Sequence, residues 1–475
     1  MKILLVNPPR YKNVDYVREG RCMQPKNVWN NIWPPLTLNY IATLLKKNNQ
    51  VIIIDCIAEN KNWSSLEKDL KTQKPDIVII NNGFPSAKGD LKLGSLAKKI
   101  NPKIITITFG IFPTLLPEET LNNFRIDFVV MHEPEITMQE LIAAIKNNSD
   151  FKKVKGIAYK EQNKIVFTKE REFIKDLDEE LGFPDRNLIK NEAYTFPFDK
   201  KPFALLLLGR GCPFNCSFCV APVYYGRKYR VRNPKKVVDE MQECYEKFEI
   251  KNFMFWGESF TTNRKFSIGI CDELIKRKLK FDWITTTRVD TLDLELLNKM
   301  KKAGCYLLGL GIETPNEEIL KNVNKNTSLK QIKNAIAICK KAKVKTMGHF
   351  IFGFPGETRK TAKKTIKFAK NCGVDYAQFY CAVPYPKTKY WDELEQKKQI
   401  VSKDWDLYEQ NFAVTKTDEL TPKDIMKFRT KGFNSFYIRP KFVLKQLTQI
   451  RSFKELWNTF IAGLSVLKWF SPKKK

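Results

Sequence analysis

The stretch Gly209-Arg210-Gly211-Cys212-Pro213-Phe214-Asn215-Cys216-Ser217-Phe218-Cys219 limits what this chain can fold into more than any other. It packs three thiols into eight residues, while the remaining cysteines are scattered. A spacing of i, i+4 and i+7 fits one helix face, but Pro213 breaks such a helix and two glycines flank it, so the pattern predicts a wrapping loop. The preceding run from Phe203 to Leu208 reads as a buried parallel strand, which puts the thiols just past a strand's carboxyl end, where barrel active sites sit. Zinc wants four ligands, and no second cysteine pair or nearby His completes a tetrahedral set. An iron–sulfur cube held by three Cys leaves one iron open for a small ligand.

The Cys-x3-Cys-x2-Cys spacing, with the aromatic Phe218 before the last thiol, resembles the signature of the radical S-adenosylmethionine (SAM) superfamily. The resemblance implies a [4Fe–4S] cluster on Cys212, Cys216 and Cys219, whose open iron is chelated by the amino and carboxylate groups of SAM. It further implies reductive cleavage of SAM to a 5′-deoxyadenosyl radical, with the electron coming from a one-electron reductant such as flavodoxin or ferredoxin.

The 475 residues suffice for two or three domains with full cores. Eleven cysteines, an odd number, and a strand-like run straight after Met1 without a signal-peptide pattern lead us to expect a reducing cytoplasm. No apolar stretch approaches the ~18 residues of a spanning helix. The formal charge of +31 is compatible with an anionic partner or with a solvated Lys-rich surface, and nucleic acid is not expected.

Residues 1–147 alternate short Ile/Val-rich runs, at Lys2 to Val6, Gln50 to Asp55, Asp76 to Asn81, Lys103 to Phe109 and Phe128 to Met131, with helical stretches such as Leu36 to Lys47. This predicts a doubly wound parallel sheet covered on both faces, with ligands at the carboxyl ends of its strands. No Gly-x-Gly-x-x-Gly follows the first strand, which argues against a dinucleotide. Asn7-Pro8-Pro9, Pro34 to Tyr40, Gly110 through Thr120 and Glu133-Pro134-Glu135, taken in order, resemble the cobalamin-binding domain that precedes the radical core in one branch of the superfamily. That resemblance implies a corrin contacted by Asn7, Pro8, Pro9, Gly110, Thr114, Glu133 and Glu135, with Gly110 allowing close backbone approach. Two departures stand out. Phe109-Gly110 replaces two glycines, and His132-Glu133-Pro134-Glu135 replaces Gly-Glu-Gly-Glu, so Phe109 and Pro134 are expected to narrow the pocket. The Asp-x-His-x-x-Gly motif is absent, so no His of that kind lies below the metal. His132 and His349 are the only histidines, and neither is assigned a role.

Residues 148–195 read as a hairpin and a linker. Residues 196–400 repeat strand and helix, with strands at Phe203, Asn252 to Trp256, Asp282 to Thr286, Tyr306 to Leu310, Lys345 to Phe352 and Tyr376 to Val383. Six such units suggest the open (β/α)6 partial barrel of radical SAM enzymes. By resemblance, Glu258 in Trp256-Gly257-Glu258 meets SAM's amino group, and Gly311 and Glu313 in Gly309-Leu310-Gly311-Ile312-Glu313 line its ribose and methionine side. Gly353, opening Gly353-Phe354-Pro355-Gly356-Glu357-Thr358, turns beside adenine. Arg288 is expected to pair with SAM's carboxylate, since a guanidinium suits a bidentate contact. Tyr385-Pro386-Lys387-Thr388 matches the family's Pro-x-Pro-Gly-Thr turn with Lys387 in place of Gly.

The expected enzyme is a cobalamin-dependent radical SAM methyltransferase that methylates an unactivated carbon of a small-molecule or lipid substrate; its catalytic residues are not identifiable from the sequence. The alternatives are an anaerobic oxidative cyclase of the porphyrin type, a tRNA methylthiotransferase, and a non-catalytic cobalamin-binding scaffold. Only Cys22 and Cys56 precede residue 200, which disfavours the extra cluster of a methylthiotransferase. Residues 401–475 read as a basic helical region. From 421 onward ten Lys and three Arg face only Asp424 and Glu455, and Phe453, Leu456, Trp457, Phe460, Leu464 and Leu467 recur at helical spacing. Such a helix suits either packing on the barrel as a terminal cap or peripheral binding to an anionic membrane face. Phe436-Tyr437-Ile438-Arg439-Pro440-Lys441 resembles a segment in relatives acting on hopanoid-type lipids.

Overall fold

A computed structural model describes residues 1–20, 24–25, 31–196, 201–440, 442 and 444. They divide into two compact units, one built from residues up to Tyr194 with Val223–Gly226, the other from Thr195–Pro222 and from Arg227 onward.

The first unit is organised on seven strands: β1 (Lys2–Asn7), β2 (Gln50–Asp55), β3 (Ile77–Asn82), β4 (Ile105–Gly110), β5 (Phe128–Val130), β6 (Ile157–Glu161) and β7 (Lys164–Phe167). Their order in the sheet is β2-β1-β3-β4-β5-β6-β7. The first five are parallel, as continuous apolar runs separated by helices require. Ile3, Leu5, Ile77, Ile79 and Ile107 pack one face against the helices Leu36–Leu45 and Pro134–Lys146, while Leu4, Val6, Val78 and Ile80, pointing the other way, are equally buried. Each such side chain contributes about 1.5–3 kcal/mol by leaving water. The hairpin read between residues 148 and 195 extends this sheet: β6 runs antiparallel to β5, with Phe128 opposite Tyr159.

The second unit carries β8 (Phe203–Leu207), β9 (Asn252–Trp256), β10 (Asp282–Arg288), β11 (Cys305–Glu313), β12 (Lys345–Phe352) and β13 (Tyr376–Cys381). They lie in sequential order, all parallel, with β8 and β13 as the edges. Alternation decides which side chains reach the concave face. Leu206, Phe253, Phe255, Trp283, Leu308, Leu310, Phe350, Phe352 and Phe379 belong to one core cluster under the helices. Trp256, Thr286, Gly309, Gly311, His349 and Tyr380, the residues between, therefore face inward. Thr286 is exposed although it sits in mid-strand, so the concave side is open there. The α/β architecture expected from the sequence, a doubly wound sheet followed by six strand–helix units, is the one observed.

A helix at Pro422–Tyr437 closes the outside of β13. The Tyr437 hydroxyl donates to the Ala377 carbonyl at 2.7 Å, and a Cβ on Gly432 would lie 2.7 Å from the Phe379 ring. Phe436 and Tyr437 are buried in the core cluster, which accounts for this aromatic pair by packing alone. The apolar stripe expected from Phe453 to Leu467 and the basic end lie outside the described residues. Among the described residues no helix is long and apolar enough to cross a membrane.

Candidate functional site

In the second unit the thiol loop leaves the end of β8 through a two-residue ladder. Gly209–Arg210 pairs antiparallel with Arg230–Val231, and a Cβ on Gly209 would stand 2.7 Å from the Arg230 carbonyl. Gly211 then takes a left-handed φ of 88°. The loop is held at its far end too: Ser217 N–H donates to the Val323 carbonyl at 3.0 Å, and its carbonyl accepts from Tyr390 N–H at 3.1 Å. The Phe218 ring packs on Phe354 at 4.9 Å.

The loop thiols differ from most other described cysteines in access. Cys212, Cys216 and Cys219 are partly exposed, whereas Cys244, Cys271, Cys305, Cys339 and Cys381 are buried. Burial pushes the Cys271, Cys339 and Cys381 thiols up to about 12, which makes them inert. Among the described residues no three His, Cys, Asp or Glu side chains converge on a single-ion site. A cubane differs from such a site, because each thiolate binds its own iron and the ligands stand apart. Three accessible thiols in one loop, with no fourth ligand among the described residues, fit that donor set.

Arg288, at the end of β10, touches this loop directly. Its guanidinium lies 3.8 Å over the Phe214 ring and Nη1 donates to the Cys216 Sγ at 3.5 Å. Nε and Nη2 form the paired contact with Asp290 at 2.9 and 2.8 Å, and Nη2 also donates to the Lys325 carbonyl at 2.8 Å. The fork expected for SAM's carboxylate is thus engaged by Asp290. Hydroxyls of Ser259, Thr261, Thr287 and Thr291 tie this strand end to the turn after β9. In that turn Glu258 is half-buried. The Tyr229 hydroxyl is buried, with no hydrogen-bond partner among the described residues, 3.5 Å from where a Cβ on Gly257 would stand.

The end of β11 is occupied by an ion pair. Lys325 Nζ donates to Glu313 Oε1 at 2.7 Å with both side chains buried, and Glu313 sits at a left-handed φ of 62°. A Cβ on Gly311 would meet Lys325 Nζ at 2.9 Å and Glu313 Oε1 at 3.0 Å, and one on Gly309 would meet His349 Nε2 at 2.9 Å. These glycines therefore make room for neighbouring side chains. His349 stacks on Tyr380 and shares a 3.1 Å hydrogen bond with its hydroxyl, and burial pushes the imidazole pKa down. At the end of β12, Gly353 (φ 94°) donates its N–H to Glu357 Oε2 at 2.5 Å and accepts from the Tyr390 hydroxyl at 3.0 Å, so both of its peptide groups are engaged internally. Burial pushes the Glu357 carboxyl up to about 8. Lys387 takes a φ of 64°, the conformation glycine adopts freely, which explains the family's glycine there.

In the first unit the carboxyl ends of the strands carry a buried polar network. Asn7 donates to Asp55 Oδ1 at 2.9 Å and accepts from Arg18 at 3.2 Å. Arg18 also donates to the Pro9 carbonyl and grips Asp90 with Nε and Nη2 at 2.8 and 2.7 Å. Asp90 further accepts from Ser86 at 2.5 Å, and Tyr194 donates to Asp55 at 2.9 Å. Pro8 is buried beside Asn7. Gly110 has φ 119°, and a Cβ there would lie 2.1 Å from the Asn82 carbonyl oxygen. Its immediate role is to let β4 pass the end of β3, not to leave open space. The expectation that Phe109 narrows a pocket fails, because its ring packs in the sheet's core cluster. Pro134 is the first residue of the helix Pro134–Lys146, where proline fits without strain. His132 adopts φ 61°, so it holds the conformation of the family's glycine. Its N–H donates to Thr114 Oγ1 at 3.0 Å. Glu133 accepts from Ile174 N–H at 2.8 Å, and Glu135 is fully buried.

Phe214, Asp290, Lys325 and Tyr229 in the second unit, and Arg18, Asp90 and Asp55 in the first, were not found from the sequence. Phe214 stood inside the thiol motif already read, two positions from Cys212 and Cys216, and Asp290 lies two positions after Arg288. Lys325 and Arg18 carried no local signal.

The pattern of the radical SAM superfamily matches residues 206–369, and that of the B12 binding domain matches residues 27–142. An uncharacterized methyltransferase of Pyrococcus horikoshii is 33% identical across 95% of this chain and 96% of its own length. The anaerobic magnesium-protoporphyrin IX monomethyl ester cyclase of Rubrivivax gelatinosus is 32% identical, covering 88% of this chain and 76% of the cyclase. In fold, the chain is similar to the radical SAM methyltransferase TsrM of Kitasatospora setae, solved with cobalamin and a [4Fe–4S] cluster. The TM-score is 0.74 at 16% identity, over 98% of this chain and 99% of that one.

Proposed function

The chain belongs to the radical SAM superfamily, in the branch that carries a B12 binding domain, and on that premise we propose that it is a cobalamin-dependent methyltransferase acting on an unactivated carbon. The observation that carries this reading is the accessible three-thiol loop at the end of β8, in a chain 95% of which aligns with an uncharacterized methyltransferase. Cys212, Cys216 and Cys219 would hold the cluster, and the carboxyl ends of β1, β3 and β4 would face the corrin. When bound, the cluster with SAM supplies a 5′-deoxyadenosyl radical and cobalamin supplies the methyl group.

The chain's own contribution is placement and charge. Arg288 holds the Cys216 end of the loop through its stack on Phe214. The buried charges that reach the concave face are paired, Arg288 with Asp290 and Lys325 with Glu313, so a reacting carbon meets little uncompensated field. Glu258 and Glu313 remain our proposed contacts for SAM's amino group and ribose side, with Gly311 and Gly353 shaping the backbone beside them. In the first unit Asn7, Pro8, Pro9, Gly110, Thr114, Glu133 and Glu135 remain the proposed corrin rim; Asn7 and Pro9 are fixed there by Arg18. A flavodoxin- or ferredoxin-type protein is the proposed electron donor.

A second reading, oxidative cyclisation, is favoured by the 32% identity to the Rubrivivax cyclase. Both share the cofactors. Anaerobic loading tests this common part: the protein should take up about four irons per chain and show the absorbance of a bound corrin without His ligation. Well-folded protein that takes up neither is not a member in function.

A further inference from the structure

Two cations and two carboxylates form a connected chain that starts at Cys216 of the thiol loop. Arg288 reaches the Cys216 Sγ at 3.5 Å with Nη1 and turns its paired edge to Asp290. Its Nη2 also grips the carbonyl of Lys325, whose own Nζ pairs with Glu313 at 2.7 Å. The cations are thus joined through Lys325, with their counter-charges attached to each. All four side chains are largely buried: Arg288, Lys325 and Glu313 are 7–8% exposed and Asp290 16%. Gly311 lacks the Cβ that would collide with Lys325, and Glu313 accepts a left-handed backbone to complete its pair. Holding a buried Lys and a strained Glu costs free energy.

Adding an electron to a thiolate-held cluster adds negative charge, which nearby cations stabilise and nearby carboxylates oppose. The structure assigns Arg288 and Lys325 as the positioning residues that set the reduction potential of a cluster held by Cys212, Cys216 and Cys219, with Asp290 and Glu313 as their counterweights. This assignment rests on the cluster reading above. Because each cation carries its own carboxylate, removal of one partner leaves the other as an uncompensated charge beside the cluster. The four single changes should therefore shift the potential with opposite signs.

The test is an anaerobic EPR redox titration of full-length protein reconstituted with iron and sulfide, using photoreduced deazaflavin as the one-electron source. R288Q leaves Asp290 unopposed and K325Q leaves Glu313 unopposed. Both should lower the midpoint, by at least a tenfold change in the ratio of reduced to oxidised cluster, about 59 mV for a one-electron couple. D290N and E313Q should raise it, and the R288Q/D290N double variant should return toward wild type. Should R288Q lose its cluster, D290N decides, since it keeps the guanidinium on Cys216. Wild-type midpoints in single variants that hold full iron would overturn the assignment. Failure of the wild-type protein to hold a cluster would instead refute the reading on which it rests.

Discussion

The Asn82 carbonyl oxygen occupies the position that a side chain on Gly110 would need: a Cβ there would stand only 2.1 Å away. Gly110 ends β4 at φ 119°, a conformation that L-residues with side chains rarely adopt, and its neighbour in the sheet is Asn82 itself. The first unit is therefore pinned at the strand ends where its ligand is proposed to lie.

G110A should destabilise the first unit by about 3 kcal/mol, from the left-handed backbone and the forced retreat of β3. A urea melt checks it. A variant as stable as wild type would show that the end of β3 moves freely.

The first sheet was legible because its strands are buried on two faces and read as unbroken Ile/Val runs, such as Ile77 to Ile80; the second was legible from six short apolar runs repeated between helical stretches. The thiol loop was legible because its three ligands are local in sequence. The polar networks were not. Arg18 and Asp90 are 72 positions apart, and Arg288 meets Lys325 across 37, so no spacing could announce them. Reading His132 and Lys387 as departures from glycine missed that both occupy positive-φ sites, where a costlier residue can still serve.

Changing Cys212, Cys216 or Cys219 singly to Ala should abolish bound iron and SAM cleavage, while C244A, within the core cluster, should retain both. Iron analysis and deoxyadenosine release measure this. Full cleavage by the triple Ala variant would refute the cluster assignment.

Glu357 gives stability a pH dependence. Its folded-state pKa, pushed up to about 8 by burial, lies above its ordinary value of 4.5. Between these values the unfolded chain releases the proton while the folded protein keeps it, so stability should fall as pH rises through this window and level off above it. At about 1.4 kcal/mol per unit the span is roughly 5 kcal/mol. E357Q retains an acceptor for the Gly353 N–H and should be more stable than wild type near pH 8, by denaturant melts. An equal pH slope in both proteins would contradict this.

The basic tail is proposed to bind anionic membranes. Intact protein should sediment with phosphatidylserine-containing vesicles at low salt and be released by added salt, and deletion of residues 442–475 should abolish the effect. Intact protein that stays in the supernatant at low salt excludes this role.

The most direct test of the central claim is product analysis of the cobalamin- and cluster-loaded protein, incubated anaerobically with methyl-labelled SAM, a reductant and cell extract. The account predicts that 5′-deoxyadenosine and S-adenosylhomocysteine form together, with the label carried into a new product. Deoxyadenosine without S-adenosylhomocysteine or label transfer would contradict methyl transfer and favour cyclisation.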